Sequence, residues 1–167
     1  MLEIENVSKV FPGRAGMFGT SAEVRALEEV SLSIRAGESF GLVGESGSGK
    51  TTLTRCILRL DQPTSGTIRF EGEDLATLTP AALRRLRARL QIVLQDPFAS
   101  LNPRMSVHDT VTEPMLIHAA TLGLNARQRT DRAAELLSLV GLGPQHLHRY
   151  PHEFSGGQRQ RICIARA

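Results

Sequence analysis

Eight consecutive residues, Gly44 to Thr51 (GESGSGKT), match the pattern GxxxxGK[ST]. Glycines at these positions let the backbone turn, so that successive N–H groups point into one concavity suited to phosphate oxygens. Lys50 would bridge the terminal phosphates, and the Thr51 hydroxyl would bind Mg²⁺. Thr52 would support the phosphates beside it. The motif therefore predicts binding of a nucleoside triphosphate with Mg²⁺, and it does not distinguish ATP from GTP.

The segments on either side of this loop are of the kind that the motif requires. Ser39 to Val43 (SFGLV) is short and apolar without alternation, which predicts a fully buried parallel strand. Lys50 to Leu60 predicts a helix, whose N-terminus would add the positive end of its dipole to the phosphate site. The alternative is a flexible glycine and serine loop in front of a helix, and the strand–loop–helix context disfavours it.

A second glycine motif, Phe154-Ser155-Gly156-Gly157-Gln158, precedes a helix rich in Arg and Gln. Ser155 is a natural helix N-cap, and the two glycines leave room for a ligand next to the backbone N–H groups of the first turn. The pattern predicts a second anion site. An ordinary turn or helix cap would also explain it, so its value lies in its coexistence with the phosphate loop.

The remaining elements are those of an α/β chain with a helical insertion. Pro12 to Ser21 and Gln95 to Arg104 read as loops. The other predicted strands are Leu2–Phe11, Val24–Ile34, Thr67–Phe70 and Leu90–Leu94 (LQIVL), and the other predicted helices are Pro80–Arg89, Val107–His118, Ala126–Val140 and one that opens at Ser155. A parallel sheet that is buried on both faces needs more strands than these two. We therefore expect the sequence to be the front part of a larger domain.

Composition narrows the class of protein. The 167 residues carry a net charge of +3 and are 41% hydrophobic, which is typical of a soluble globular protein. No apolar stretch is long enough to cross a membrane, and the first residues do not resemble a secretory signal.

The cluster of Arg84, Arg85, Arg87 and Arg89 predicts a solvated helix face rather than a nucleic-acid patch. Cys56 and Cys163 lack metal-site spacing and are expected to be reduced and buried.

The phosphate loop, the Gln95 loop and FSGGQRQR, in this order and spacing, resemble the nucleotide-binding subunit of ATP-binding-cassette (ABC) transporters. QDPFASLNPRMSV, HRYPHEFSGGQRQRICIARA and the loop Pro12 to Ser21 are similar to the branch that imports dipeptides, oligopeptides and nickel. The resemblance implies a P-loop NTPase fold: a RecA-like core with an N-terminal antiparallel β subdomain, plus an α-helical subdomain. It assigns residues 1–95 to the core, 96–154 to the helical subdomain and 155–167 to the signature motif, with the remainder of the core missing.

The resemblance also implies roles for particular residues. Gln95 would contact Mg²⁺ and the attacking water, and Phe11 would stack on adenine, although a Phe that ends a strand is also a common core residue. The residues expected to hold the phosphates and Mg²⁺ are Gly44, Glu45, Ser46, Gly47, Ser48, Gly49, Lys50, Thr51 and Thr52. The residues expected to touch the γ-phosphate of ATP on the opposing subunit are Ser155, Gly156, Gly157 and Gln158.

The implied function is that of an ATP-hydrolysing importer subunit on the cytoplasmic face of the plasma membrane. Its expected partners are a second ATPase subunit in a head-to-tail dimer, with a heterodimer favoured, transmembrane permease subunits and, indirectly, an extracytoplasmic solute-binding protein. Nucleic acid is not expected. Phe98, Leu101 and Met105 are candidates for the permease contact, or alternatively for packing inside the helical subdomain. The transported solute cannot be read from this subunit.

The sequence also departs from the family pattern. Phe154 replaces a frequent Leu, which is a conservative change. The family's metal-binding aspartate, its catalytic glutamate and its switch histidine would all follow Ala167, and the five histidines of this sequence precede the signature motif or its helix. We therefore expect the 167 residues alone to hydrolyse ATP poorly. Two alternatives stay open: a nucleotide-binding fragment without catalysis, and a non-transport ABC ATPase. A P-loop kinase or GTPase would leave FSGGQ unexplained.

Overall fold

The computed structural model describes residues 1–13 and 22–167 of the chain. Most of the predicted loop from Pro12 to Ser21 therefore lies outside the described residues. The chain divides into two compact units, Met1–Arg84 and Arg85–Ala167. Within the described residues, no helix combines the length and the apolar character that a membrane crossing needs.

The first unit is built on an antiparallel sheet of four strands in the order β2-β1-β3-β4. Leu2 of β1 pairs with Ile34 of β2 on one side and with Phe70 of β3 on the other. The strands are β1 (Leu2–Phe11), β2 (Val24–Ile34), β3 (Ser65–Phe70) and the two-residue β4 (Glu73–Asp74). The predictions for the first two strands are confirmed, whereas β3 begins two residues earlier than predicted and β4 is a strand that the sequence pattern did not predict.

A bulge in β1 explains how its side chains reach the core. Ile4 and Val7 are both buried, although alternation over three residues would place them on opposite faces of the sheet. The pairing with β2 shifts register between these two residues, and Asn6 has a positive φ of 48°. The extra residue restores the inward direction of Val7. Leu27 of β2 and Ile68 of β3 complete the buried face of this sheet.

The two segments predicted as buried parallel strands are not strands. Ser39 to Val43 joins no ladder, and the Val43 side chain is 91% exposed. Leu90 to Leu94 also stays outside any sheet, with Ile92, Val93 and Leu94 exposed. An apolar run becomes a parallel strand only where a neighbouring strand accepts its hydrogen bonds, and neither segment pairs with a strand within the described residues. The predictions of strand and of burial are wrong for both.

The second unit is helical. Its core is formed by apolar side chains of α4 (Val107–Ile117), α6 (Ala126–Leu139) and α7 (Gly156–Arg166), together with the segments between them. Each of these helices begins with a side-chain cap: Ser106 caps α4, Asn125 caps α6 and Ser155 caps α7. These caps satisfy N–H groups that have no partner within the helix, which fixes where each helix starts.

The other helices are short; two differ from the predictions at their C-terminal ends, and the other two were not predicted as helices. They are α1 (Lys50–Ile57), α2 (Pro80–Leu86), α3 (Pro97–Ser100) and α5 (Ala119–Leu122), with 3₁₀ turns at Pro144–His146 and Pro151–Glu153. Helices α1 and α2 each end three residues before the predicted end, and α3 lies in a segment predicted as a loop. Both cysteines are free and buried, as predicted.

Candidate functional site

The loop from Gly44 to Lys50 packs against β2 at one glycine. Gly49 has a φ of 91° and stands just before the first residue of α1. A Cβ at this position would overlap the carbonyl oxygen of Ala26 and lie 2.9 Å from Leu27 Cδ2. Only glycine therefore fits both the backbone conformation and the space. The positive φ of Gly47, 86°, supports the turn in the middle of the loop.

The Lys50 ammonium lies inside this loop. Its Nζ atom donates hydrogen bonds to the carbonyl oxygens of Gly44 (2.7 Å) and Glu45 (2.6 Å) and to Ser48 Oγ (3.1 Å). These three bonds match the three donors of an ammonium group. The loop thus encloses a single positive charge, which is the charge that a phosphate group would need there.

The residues of the loop fit a nucleotide phosphate. A Cβ on Gly44 would lie 2.7 Å from Ser48 Oγ and 3.8 Å from Lys50 Nζ, so a side chain at this position would fill the concavity. Helix α1 has no side-chain cap bond at Gly49 and no acidic residue in its first turn. The N–H groups of that turn are therefore left for an anion. Thr51 is exposed and Thr52 is half-buried at the same end of the helix.

Phe11 lies at the surface rather than in the core. Its side chain is 36% exposed at the end of β1. Lys9 Nζ lies 4.8 Å from the ring centroid and donates a hydrogen bond to the carbonyl oxygen of Gln62. An exposed aromatic ring is free to stack on a flat ligand, and its proposed contact with adenine stays a prediction.

The second glycine motif forms the N-terminus of α7. Gln158 Oε1 accepts a hydrogen bond from the Ser155 backbone N–H at 3.0 Å, and Ser155 Oγ accepts one from the Gln158 N–H at 3.4 Å. This reciprocal pair is a capping box. A Cβ on Gly157 would meet no atom within 4 Å, so the backbone there is open to a ligand. Phe154, the first residue of the motif, is buried.

Gln95 is exposed and stands directly before the cap of α3. Asp96 Oδ1 accepts hydrogen bonds from the N–H groups of Phe98 (2.8 Å) and Ala99 (3.3 Å), and Pro97 occupies the first helical position. An Asp followed by Pro is a known helix-start signal, and it would have revealed α3 in the sequence.

Of the three apolar candidates for a permease contact, Leu101 is buried in the helical core and Phe98 is exposed.

The two cysteines have no nucleophilic role in this arrangement. Burial raises the pKa of the Cys56 thiol on α1 and of the Cys163 thiol on α7 above its ordinary value. Both groups are therefore protonated at neutral pH and behave as small apolar side chains.

The structure brings together residues 44–50 at one place and residues 155–158 at another.

Comparison with known proteins identifies the family. A family model described as ABC transporter matches residues 27–167. The chain belongs to the ABC transporter family. The match includes both glycine motifs and the Gln95 loop, so the family resemblance predicted from the motifs is confirmed.

Curated relatives of this ABC chain are importer subunits by name. The glutathione import ATP-binding protein GsiA of Escherichia coli (strain K12) is 48% identical over 168 residues, which cover 100% of this chain and 26% of GsiA. The oligopeptide transport ATP-binding protein AppF of Bacillus subtilis (strain 168) is 48% identical over 169 residues, covering 100% of this chain and 50% of AppF. The chain thus spans between a quarter and half of these relatives.

Solved ABC cassettes share the fold. The dimeric ATP-binding cassette MJ0796, in a post-hydrolysis state bound to ADP and Pi, superposes with a TM-score of 0.81 at 30% identity, covering 99% of this chain and 68% of that one. The ABC transporter component cbiO1 from Clostridium perfringens superposes with a TM-score of 0.75 at 26% identity, covering 98% of this chain and 59% of that one. These matches confirm the predicted P-loop NTPase fold with an antiparallel β-sheet and a helical part.

Proposed function

We propose that this chain binds ATP with Mg²⁺ as part of the ATP-hydrolysing subunit of an importer. The observation that carries the proposal is the Lys50 ammonium, held inside a glycine loop at the uncapped N-terminus of α1. The names of AppF and GsiA, which refer to oligopeptide transport and glutathione import, support a peptide-type solute. Dipeptides and nickel remain candidates on the sequence pattern alone.

Several residues would hold the nucleotide. Lys50 would exchange its bonds to Gly44, Glu45 and Ser48 for phosphate oxygens, and the Thr51 hydroxyl would bind the metal. When bound, ATP supplies the phosphoanhydride bond that is hydrolysed, and Mg²⁺ neutralises its charge. Phe11 would hold the adenine ring by stacking. Gln95 would contact the metal and orient the attacking water.

The second motif would serve a partner subunit. Ser155, Gly156, Gly157 and Gln158 would contact the γ-phosphate held by the opposing subunit, so that two subunits enclose two nucleotides head to tail. The dimeric state of the MJ0796 cassette supports this arrangement. We expect a heterodimer that associates with transmembrane permease subunits on the cytoplasmic face of the plasma membrane. An extracytoplasmic solute-binding protein would deliver the solute to the permease.

Catalysis would need groups other than those described. A metal-binding aspartate, a catalytic glutamate and a switch histidine complete the family's site, and the proposed roles of Lys50 and Gln95 cover only part of the charge stabilisation. A polypeptide of these 167 residues alone would therefore bind MgATP without efficient turnover.

Calorimetric titration with MgATP tests the proposal. Lys50→Ala removes the only cation inside the loop, and we expect ATP affinity to fall by about 10- to 100-fold, the range for hydrogen bonds to a charged group. Arg55→Gln is the matched control, because Arg55 lies on the same helix and pairs with Asp61 instead. Equal ATP affinity in the wild type and Lys50→Ala would refute the site.

A further inference from the structure

A cation and an aromatic ring join two helices of the second unit. The guanidinium carbon of Arg159, on α7, lies 4.2 Å from the centroid of the Phe98 ring, on α3. The Arg159 Nε–H also donates a hydrogen bond to the carbonyl oxygen of Phe154 at 3.0 Å. The hydrogen bond fixes the plane of the guanidinium, so the Phe98 ring meets a cation that is already oriented.

The same ring lies next to the signature motif. An ideal Cβ on Gly156 would be 3.8 Å from Phe98 Cε2, which is ordinary van der Waals contact. Phe98 thus lies beside the first residue of α7 and contacts the guanidinium one turn further along that helix. Because the ring is 62% exposed, burial alone does not hold it there.

Helix α3 depends on such contacts. It has four residues, and so short a helix is unstable without tertiary support. Asp96 caps its first turn, and Arg166 of α7 donates a hydrogen bond to the Ser100 carbonyl oxygen at its last residue, at 2.6 Å. The start of α3 is therefore attached to α7 through Phe98, and its end through Arg166.

We propose that Arg159 is a positioning residue that fixes the segment following Gln95 against the N-terminus of α7. Gln95 lies three residues before Phe98, and Ser155 lies one residue before Gly156. A shift of either motif is therefore transmitted to the other through one ring contact. The inference rests on the proposed function only for its catalytic consequence, in which Gln95 and the signature residues act on nucleotides.

Hydrogen exchange tests the contact independently of ATP. In Arg159→Gln, the N–H groups of Phe98 and Ala99 should exchange about two- to fivefold faster than in the wild type, the change expected for loss of one exposed cation–π contact. Arg159→Lys keeps a cation over the ring and should restore most of the protection. Unchanged exchange at these two N–H groups in Arg159→Gln would overturn the proposal.

A matched control lies two residues away on the same helix. Arg161 donates hydrogen bonds to the carbonyl oxygens of Val140 and Gly141, away from α3. Arg161→Gln removes the same type of side chain from α7 and should leave exchange in α3 unchanged. Phe98→Leu should reproduce the effect of Arg159→Gln, and the double variant should add nothing further, because both changes remove one interaction. Additive effects would contradict the proposed pair.

The catalytic consequence is tested in the full-length protein by steady-state kinetics. Arg159→Gln should lower kcat by about two- to fivefold and leave KM for ATP unchanged, since Lys50 holds the nucleotide in the other unit. A purely structural role would lower the amount of folded enzyme and leave its kcat intact. If the wild type shows no ATP binding that depends on Lys50, the proposed function is contradicted. The hydrogen-exchange measurement tests the role of Arg159 independently of that outcome.

Discussion

The Lys50 ammonium and the Glu45 carbonyl oxygen lie 2.6 Å apart, with the whole phosphate loop folded around them. The lysine therefore has acceptors inside its own loop, and a phosphate group would have to replace them. Lys50 also donates to Gly44 and to Ser48 Oγ. ATP affinity then reflects the difference between two sets of hydrogen bonds to one cation, rather than the gain of a new set.

Removing one internal acceptor should therefore strengthen nucleotide binding. Ser48→Ala deletes the side-chain acceptor of Lys50 and leaves both backbone acceptors in place. We expect ATP affinity to rise by up to about 10-fold, the lower end of the range for a hydrogen bond to a charged group, because this 3.1 Å bond is the longest of the three that Lys50 makes. Titration calorimetry measures the change, with Arg55→Gln as the control, because Arg55 pairs with Asp61 and lies outside the phosphate loop. Weaker binding in Ser48→Ala would mean that the Ser48 hydroxyl contacts the nucleotide itself.

Two glycines of the loop should respond differently to alanine. Both Gly47 and Gly49 have positive φ, which costs an alanine about 1 kcal/mol. Gly49→Ala adds an overlap with the Ala26 carbonyl oxygen, whereas a Cβ on Gly47 meets no atom within 4 Å. We expect Gly49→Ala to reduce the free energy of unfolding by at least about 2 kcal/mol and Gly47→Ala by about half of that. Urea denaturation distinguishes the two, and equal losses would argue against close packing of Gly49 on β2.

The signature serine should be essential for dimer closure. Ser155→Arg places a long cation where the opposing nucleotide would lie, so one subunit should still bind ATP while ATP-driven dimerisation is lost. Ser155→Asp keeps an N-cap acceptor, and its negative charge should block closure without destabilising α7. Light scattering with and without MgATP reports the dimer. Normal dimerisation in both variants would contradict the proposed contact with the partner's nucleotide.

One helix offers a test of the second unit's core. Leu137 of α6 is fully buried, whereas Leu139 on the same helix is 78% exposed. Leu137→Ala should lower the free energy of unfolding by about 2 to 5 kcal/mol, because it leaves a cavity. Leu139→Ala should change it by less than about 0.5 kcal/mol. Denaturant curves give both numbers, and similar values for the two variants would show that α6 packs by another face.

The buried thiols predict how stability depends on alkaline pH. Burial raises the pKa of Cys56 and Cys163 in the folded state, so on raising the pH the unfolded chain loses these protons first. The free energy of unfolding should therefore decline as the pH rises above about 8.5, the ordinary thiol value. Unfolding measured from pH 7 to pH 10 tests this, with Cys56→Ala expected to reduce the slope. A stability that rises with pH over this range would contradict the shift.

The sequence patterns predicted β1 and β2 correctly because alternation along a strand is a local property. The phosphate loop was also predictable, since its glycines, lysine and hydroxyls are consecutive. The strand predictions for residues 39–43 and 90–94 were wrong, because an apolar run does not reveal whether a neighbouring strand is available to pair with it. The contact between Arg159 and Phe98 has no local signature at all, because the two residues come from helices far apart in the sequence.

The placement of the two lysines allows nucleotide binding to be followed by chemical labelling. Of its 20 basic side chains only Lys9 and Lys50 are lysines. One lies 4.8 Å from the Phe11 ring centroid and the other is enclosed by the phosphate loop. Within these 167 residues, an amine-selective reagent would therefore modify side chains only at the proposed nucleotide site. Mass spectrometry of the labelled chain would then read occupancy of the site directly, without a fluorescent nucleotide.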